Sequence, residues 1–198
     1  MRFLETIRVE DGRVHNLKWH NLRLNSTRRD FFENISSLDL KEFIKNPPKS
    51  GLYRCRVIYS KDIESVEYIP YIPKIFKSFK IVDSDINYSY KYLDRRELDS
   101  LRVDGVDEVI IEKDGYLRDT TIANIAFFDG KEWISPKEPL LRGTFREKMV
   151  FENRIILRNI KSDDIKHFLG FALMNAMIGF QVQKDITIDL KDRERIWF

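Results

Sequence analysis

The residue type best suited to covalent chemistry in this sequence is a lysine in unusual company. Lys91 stands in Tyr88-Ser89-Tyr90-Lys91-Tyr92-Leu93-Asp94-Arg95. In an extended segment the three tyrosines share one face and Lys91 points to the other. A lysine set in an apolar wall loses solvation for its ammonium form. Its pKa then falls and the neutral amine becomes a nucleophile, which suits Schiff-base formation with an aldehyde. The plain alternative is a solvated lysine at a strand edge, where most charged side chains sit.

Four further features bear on what such an amine could serve. Gly143-Thr144-Phe145-Arg146-Glu147 places a glycine before a helix start, where unpaired N–H groups and the positive end of the helix dipole can hold phosphate. The same residues also read as ordinary capping. Arg23, between Leu22 and Leu24, could reach an anion or lie on the surface. Asp119 falls where a long apolar segment breaks near Thr120. A carboxylate held there can keep a ring nitrogen protonated, or simply serve the turn. Arg56 shares a strand face with Arg54 and could pair in two-point fashion with a substrate carboxylate.

Other chemistries find little support. The chain of 198 residues has one cysteine, Cys55, and three histidines. That leaves no internal disulfide and no zinc-type cluster, and no metal site is expected. Gly-x-Ser-x-Gly, Gly-x-Gly-x-x-Gly and Walker motifs are absent. Lys and Arg total 35 against 32 acidic residues, for a net charge of +3. The signs are interspersed, so a nucleic-acid surface is not expected. No apolar run approaches the roughly 18 residues of a membrane span. Met1 to Thr6 is charged too early for a secretory signal. A cytoplasmic location is the expectation.

The elements that must position these groups can be read from pattern. Phe3 to Val9 reads as a strand, Asp11-Gly12 as a hairpin turn, and Leu17 to Phe32 as a helix. Asp39-x-x-Glu42 opens a short helix that Pro47-Pro48 ends. Leu52 to Tyr59 is a strand, and Pro70 and Pro73 interrupt the next apolar stretch. Further strands are predicted over Phe76 to Val82, Asn87 to Tyr92, Glu108 to Glu112, Tyr116 to Phe128 and Lys131 to Ile134, with a helix over Leu93 to Leu101. Thr144-x-x-Glu147 is a capping box for the helix after Gly143. Short strands over Ile155 to Arg158, Phe171 to Met174 and Ile186 to Leu190, and a short helix over Asp163 to Phe168, complete the chain. The expected architecture is α+β, with a small N-terminal αβ domain over 1–74 and a larger β-rich domain over 75–198. The site is expected in the crevice between them.

Several segments, taken in order, carry a resemblance. They are Phe3-Leu4-Glu5-Thr6-Ile7-Arg8-Val9, His20-Asn21-Leu22-Arg23-Leu24, Tyr90-Lys91-Tyr92-Leu93-Asp94-Arg95, Asp119 to Ile125, Leu140-Leu141-Arg142-Gly143-Thr144-Phe145-Arg146, and Met174-Asn175-Ala176-Met177. Together they resemble the class IV aminotransferase family, the fold type IV enzymes that use pyridoxal 5'-phosphate (PLP). The resemblance implies that Lys91 is the Schiff-base and catalytic lysine and that Arg23 grips the cofactor phosphate. It implies that Asp119 faces the pyridine nitrogen, and that Thr144, Phe145 and Ala176 line the phosphate. Arg56 is then a candidate for binding a small amino substrate, and a homodimer is expected. The Lys91 to Arg95 run is closer to the aminodeoxychorismate lyases, which form 4-aminobenzoate and pyruvate for folate synthesis. A branched-chain or D-amino acid transaminase, or a member without turnover, is the alternative. Two residues depart from the family pattern. Asp119 stands where Glu is usual, and Phe145 where a hydroxyl residue is common. Members of the family also usually carry another strand and an aromatic-rich loop ahead of the Phe3 segment.

Overall fold

The computed structural model describes residues 1–191 and 194–198. The chain divides into two compact units. One comprises Met1–Pro73 and Tyr90–Asp94; the other comprises Lys74–Ser89 and Arg95–Phe198.

The first unit starts with β1 (Phe3–Glu10), which turns into β2 (Arg13–Val14). Asp11 and Gly12 both have positive φ, 48° and 79°, as a tight hairpin turn demands. Then come α1 (Leu17–Phe31), a 3-10 turn over Leu40–Glu42, β3 (Leu52–Tyr59) and β4 (Ile63–Pro70). The sheet order is β2-β1-β3-β4, antiparallel throughout. Strand alternation sends Phe3, Ile7 and Val9 to the same face as Cys55, Val57 and Tyr59, where Leu24 of α1 and Leu40 cover them. Burying each of these large apolar side chains contributes roughly 1.5 to 3 kcal/mol. Glu5 lies in that inward row too, and is fully buried.

Strand β4 is not evident from the sequence, where Pro70 reads as an interruption. Pro70 instead closes β4 at the sheet edge, opposite Tyr53, where a missing N–H is tolerated. The segment predicted as extended over Asn87 to Tyr92 contributes only an isolated bridge, Phe3 to Tyr92. Around that bridge Leu4 N–H donates to the Lys91 carbonyl at 2.9 Å and Leu93 N–H donates to the Arg2 carbonyl at 3.0 Å. Tyr90 and Tyr92 pack with Phe3 and Phe31 in the first unit, whereas Tyr88 is buried and belongs to the second.

The second unit contains β5 (Ser78–Asp83), α2 (Arg96–Asp99), β6 (Glu108–Lys113), β7 (Tyr116–Thr120), β8 (Asn124–Phe128), β9 (Trp133–Pro136) and α3 (Thr144–Phe151). It ends with β10 (Ile156–Arg158), a 3-10 stretch over Ser162–His167, β11 (Gly170–Asn175), β12 (Gly179–Gln183), β13 (Thr187–Asp189) and β14 (Arg195–Trp197). The strands run β10-β9-β8-β7-β6-β5-β13-β14, and β11 joins β8 to β12. Phe79, Ile110, Leu117, Ile125, Phe127 and Phe171 form its core. The helix predicted over Leu93 to Leu101 is one turn long; Leu98 is its single buried residue, too small an apolar face to anchor more.

The break predicted near Thr120 is real. Thr120 Oγ1 accepts from the N–H of Ile122 at 3.2 Å and of Ala123 at 2.9 Å, which reverses the chain between β7 and β8. The capping box predicted at Thr144 is not formed. Gly143 is the N-cap and supplies no side chain, while the Glu147 carboxylate pairs with Arg146 at 2.6 Å.

Candidate active site

In the first unit a buried carboxylate collects three donors. Glu5, on β1, accepts from Arg23 Nε at 2.7 Å and Arg23 Nη2 at 2.6 Å. His20 Nδ1 lies 2.5 Å from the same carboxylate. His20 and Arg23 are three residues apart on α1 and therefore share a helix face. Burial works to raise the Glu5 pKa. The Arg23 guanidinium and His20 outweigh it and hold the group at about 2. Burial pulls the His20 pKa down against the pull of Glu5. The pair is therefore an ionised carboxylate and a neutral imidazole that donates through Nδ1. His20 Nε2 is buried without a hydrogen-bond partner.

Lys91 is brought to this cluster by the main-chain bond to Leu4, the neighbour of Glu5. Its charge is felt at His20, and its side chain is half-buried. Of the residues predicted for a site, Lys91 and Arg23 are thus assembled in one unit. Arg56 belongs to the same unit but to the other face of the sheet. It pairs with Glu67 at a long 3.5 Å. Arg54, on that same face, stands directly across from Arg8 in register, and its Nε is buried without a hydrogen-bond partner.

The second unit assembles the remaining predicted residues around the β7–β8 reversal. Asp119 is buried. Its Oδ1 accepts from Asn124 Nδ2 at 2.7 Å and its Oδ2 from Leu141 N–H at 2.9 Å. Burial raises its pKa, and those donors offset it only in part, so it sits at about 6. Asn124 Nδ2 also donates to the Leu141 carbonyl at 2.8 Å, so one amide clips the 140–143 loop to β8. A Cβ on Gly143 would run into that amide. Thr144 is buried at the start of α3, and no side chain from position 143 caps the first N–H groups. The β11–β12 turn lies alongside: Asn175 Oδ1 accepts from Met177 and Ile178 N–H, which shapes the backbone around Ala176. A Cβ on Gly179 would stand 3.6 Å from the Phe145 ring, so Phe145 is packed against this turn.

A family model for class IV amino-transferases matches residues 86–184, the part that holds Lys91, Asp119, Thr144 and Ala176. The chain belongs to the class IV aminotransferase family. An uncharacterized protein of Haemophilus influenzae is 34% identical over 182 residues, covering 88% of this chain and 97% of its own. The crystal structure of a candidate 4-amino-4-deoxychorismate lyase from Haemophilus somnus 129PT is 33% identical, with a TM-score of 0.83 over 90% of this chain and 97% of that one. The PLP-bound form of a hypothetical aminotransferase from Mycobacterium tuberculosis shares the fold, with a TM-score of 0.72 at 18% identity over all of this chain and 84% of that one. This class IV aminotransferase homologue is accordingly an α+β, fold type IV, PLP-dependent enzyme.

Its own residues suit that cofactor. An amine, a guanidinium fixed in a two-point bond, a helix start free of a side-chain cap and a glycine where no Cβ fits are the donors an aldehyde and a phosphate ester require. Asp119 suits a ring nitrogen less simply, because each of its oxygens already accepts one bond. Among the described residues no group of three His, Cys, Asp or Glu side chains could hold a metal ion, and no helix is long and apolar enough to cross a membrane.

Sequence reasoning missed Glu5, His20 and Asn124 as members of these clusters, and the unpartnered Nε of Arg54 on the opposite sheet face. Glu5 left a signal: it is the one carboxylate in the row Phe3, Glu5, Ile7, Val9, whose other members are apolar. A charge in an inward row needs a buried partner. Asn124 left none, because its role depends on where the 140–143 loop returns.

Proposed function

We propose that this enzyme is a lyase acting on 4-amino-4-deoxychorismate. The substrate loses its enolpyruvyl group by cleavage of the ring carbon–oxygen bond and a proton from the amino-bearing carbon, giving 4-aminobenzoate and pyruvate. What carries the reading is the assembly of Lys91 beside the Glu5–His20–Arg23 cluster. The choice of elimination over amino transfer rests on the likeness to the candidate lyase over nearly the full length of both chains.

PLP supplies an electron sink that acidifies the substrate carbon bearing the amine. The roles left to the protein fall to its own side chains. Lys91 Nζ is the covalent anchor and then the base that removes the proton from that carbon. In the first unit Arg23 meets the phosphate. In the second unit the N–H groups around Thr144 and Phe145 and those near Ala176 do so, and Asp119 faces the ring nitrogen. Arg56, with Arg54 beside it on the same face of the first sheet, is the candidate partner of the substrate carboxylate. Two copies of the chain form the working enzyme.

The test is direct. Purified enzyme loaded with PLP is mixed with 4-amino-4-deoxychorismate, and pyruvate is measured without any keto acid added. Pyruvate released in step with 4-aminobenzoate supports the lyase. A strict need for a keto-acid acceptor selects the transaminase instead.

A further inference from the structure

We propose that Glu5 is a positioning residue for Arg23, presenting the guanidinium to the phosphate of the cofactor. The inference rests on the proposed role in which Arg23 meets that phosphate. Arg23 projects from α1, and an arginine there has several rotatable bonds and wide freedom. Glu5 removes that freedom. It is fully buried on β1, and both its oxygens accept from the side-on edge of the guanidinium, through Nε and Nη2. Such a two-point bond fixes the plane of the group as well as its position. The end-on edge, carrying Nη1, is left directed away from Glu5. His20 completes the arrangement from the same helix face. With its own side chain fully buried, it fixes the carboxylate so that the carboxylate can fix the arginine.

Two effects compete when the Glu5 charge is removed. The carboxylate repels a phosphate, so its loss by itself strengthens binding of a phosphate ester. The same change destroys the fork, because a glutamine amide sets an NH2 against one of the guanidinium donors. We infer that the loss of the fork wins, so the sign of the effect separates positioning from bare electrostatics.

The experiment compares the affinity of the chain for PLP with its affinity for pyridoxal, which lacks the phosphate. Glu5→Gln is expected to lower the PLP-over-pyridoxal preference about tenfold or more, the scale of a lost charge-assisted hydrogen bond. In an Arg23→Ala background, where no fork is left to lose, it is expected to cause no further fall in that preference. Glu5→Asp keeps the charge but draws the carboxylate back by one methylene, out of reach of the two nitrogens. It is expected to lower the preference as well, and it serves if Glu5→Gln does not fold. In the unliganded chain the Arg23 Nε–H is expected to exchange slowly with solvent by NMR, and to lose that protection in either variant. A preference that is unchanged or raised in the variants overturns the inference, as does a rapidly exchanging Nε–H in the native chain. A native chain with no preference for PLP over pyridoxal overturns the cofactor reading itself, which is a different result from a native preference that survives Glu5→Gln.

Discussion

Asp119 and Asn124 face each other across the register pair that joins β7 to β8, and the Asn124 amide donates to Asp119 at 2.7 Å. The same amide holds the Leu141 carbonyl, and the second oxygen of Asp119 holds the Leu141 N–H. One carboxylate and one amide thus tie the strand break to the loop that leads into α3. That linkage has consequences for pH, for the glycine beside it and for the cofactor.

In the unliganded enzyme the Asp119 contribution to stability should be lost as pH rises from about 4 to about 6. Burial raises the Asp119 pKa to about 6 from 3.8. Over that window the folded chain keeps a proton that the unfolded chain has released, so rising pH favours unfolding. The contribution is about 3 kcal/mol, fully present below pH 4 and lost above pH 6. Urea midpoints measured across this range in the native chain and in Asp119→Asn should differ by an amount that falls with rising pH, which is the Asp119 share once the Glu5 and His20 contributions common to both are subtracted.

Glu5 should act in the opposite sense and at lower pH. Its folded pKa of about 2 lies below the ordinary 4.5. Its contribution is fully present above 4.5 and is lost as pH falls toward 2, because the unfolded chain takes up the proton first. The magnitude is about 3 kcal/mol. Neutral His20 adds to the acid sensitivity, since burial depresses its pKa. Acid titration of the native chain against Glu5→Gln isolates the Glu5 share, and the variant should show the shallower acid limb.

Gly143→Ala should destabilise the chain by about 1 to 3 kcal/mol, the usual cost of overpacking. The Gly143 φ of −64° suits any residue, so the cost is steric. The new methyl meets the Asn124 amide, which cannot yield without breaking its bonds to Asp119 and Leu141. Thermal melts measure the loss. The affinity for PLP should fall with it, while Gly115→Ala, strained by a φ of +74° but with open space around it, should cost stability and leave PLP affinity unchanged.

Legibility in the sequence differs from residue to residue. The first strand, α1 and the reversal at Thr120 are readable, because strand alternation, helix periodicity and a polar run between apolar stretches are local signals. The order of the matching segments is enough to point to the family. The clusters themselves are not readable. Glu5 and Arg23 are 18 residues apart, and Asp119 and Leu141 are 22 apart; their pairing is a product of the tertiary fold. Thr144 misleads as a cap, because a glycine one residue earlier already ends the extended backbone. Lys91 stands out in the sequence for tyrosines on a common strand face. The structure instead gives it a single bridge, two tyrosines and a neighbour in the Glu5 cluster.

Arg54 should matter more than Arg56 for a carboxylate substrate. Arg56 already has Glu67 as a partner, whereas Arg54 faces Arg8 and has its Nε buried without a hydrogen-bond partner. Arg8 is already paired with Glu10 at 2.8 Å, so the unmet donor on this face is Arg54 Nε, which a carboxylate would satisfy. Arg54→Gln should raise KM by about tenfold to a hundredfold, and Arg56→Gln by clearly less. Steady-state kinetics on both variants decides it; equal effects would remove the distinction.

The decisive measurement is covalent. The native enzyme is loaded with PLP, reduced with borohydride and digested, and the pyridoxyl-bearing peptide is sequenced by mass spectrometry. The label is expected on Lys91, with no stable label in Lys91→Ala and an unchanged far-UV spectrum in that variant. A label on another lysine, or a native chain that takes up no PLP, would contradict the assignment of Lys91 as the anchor.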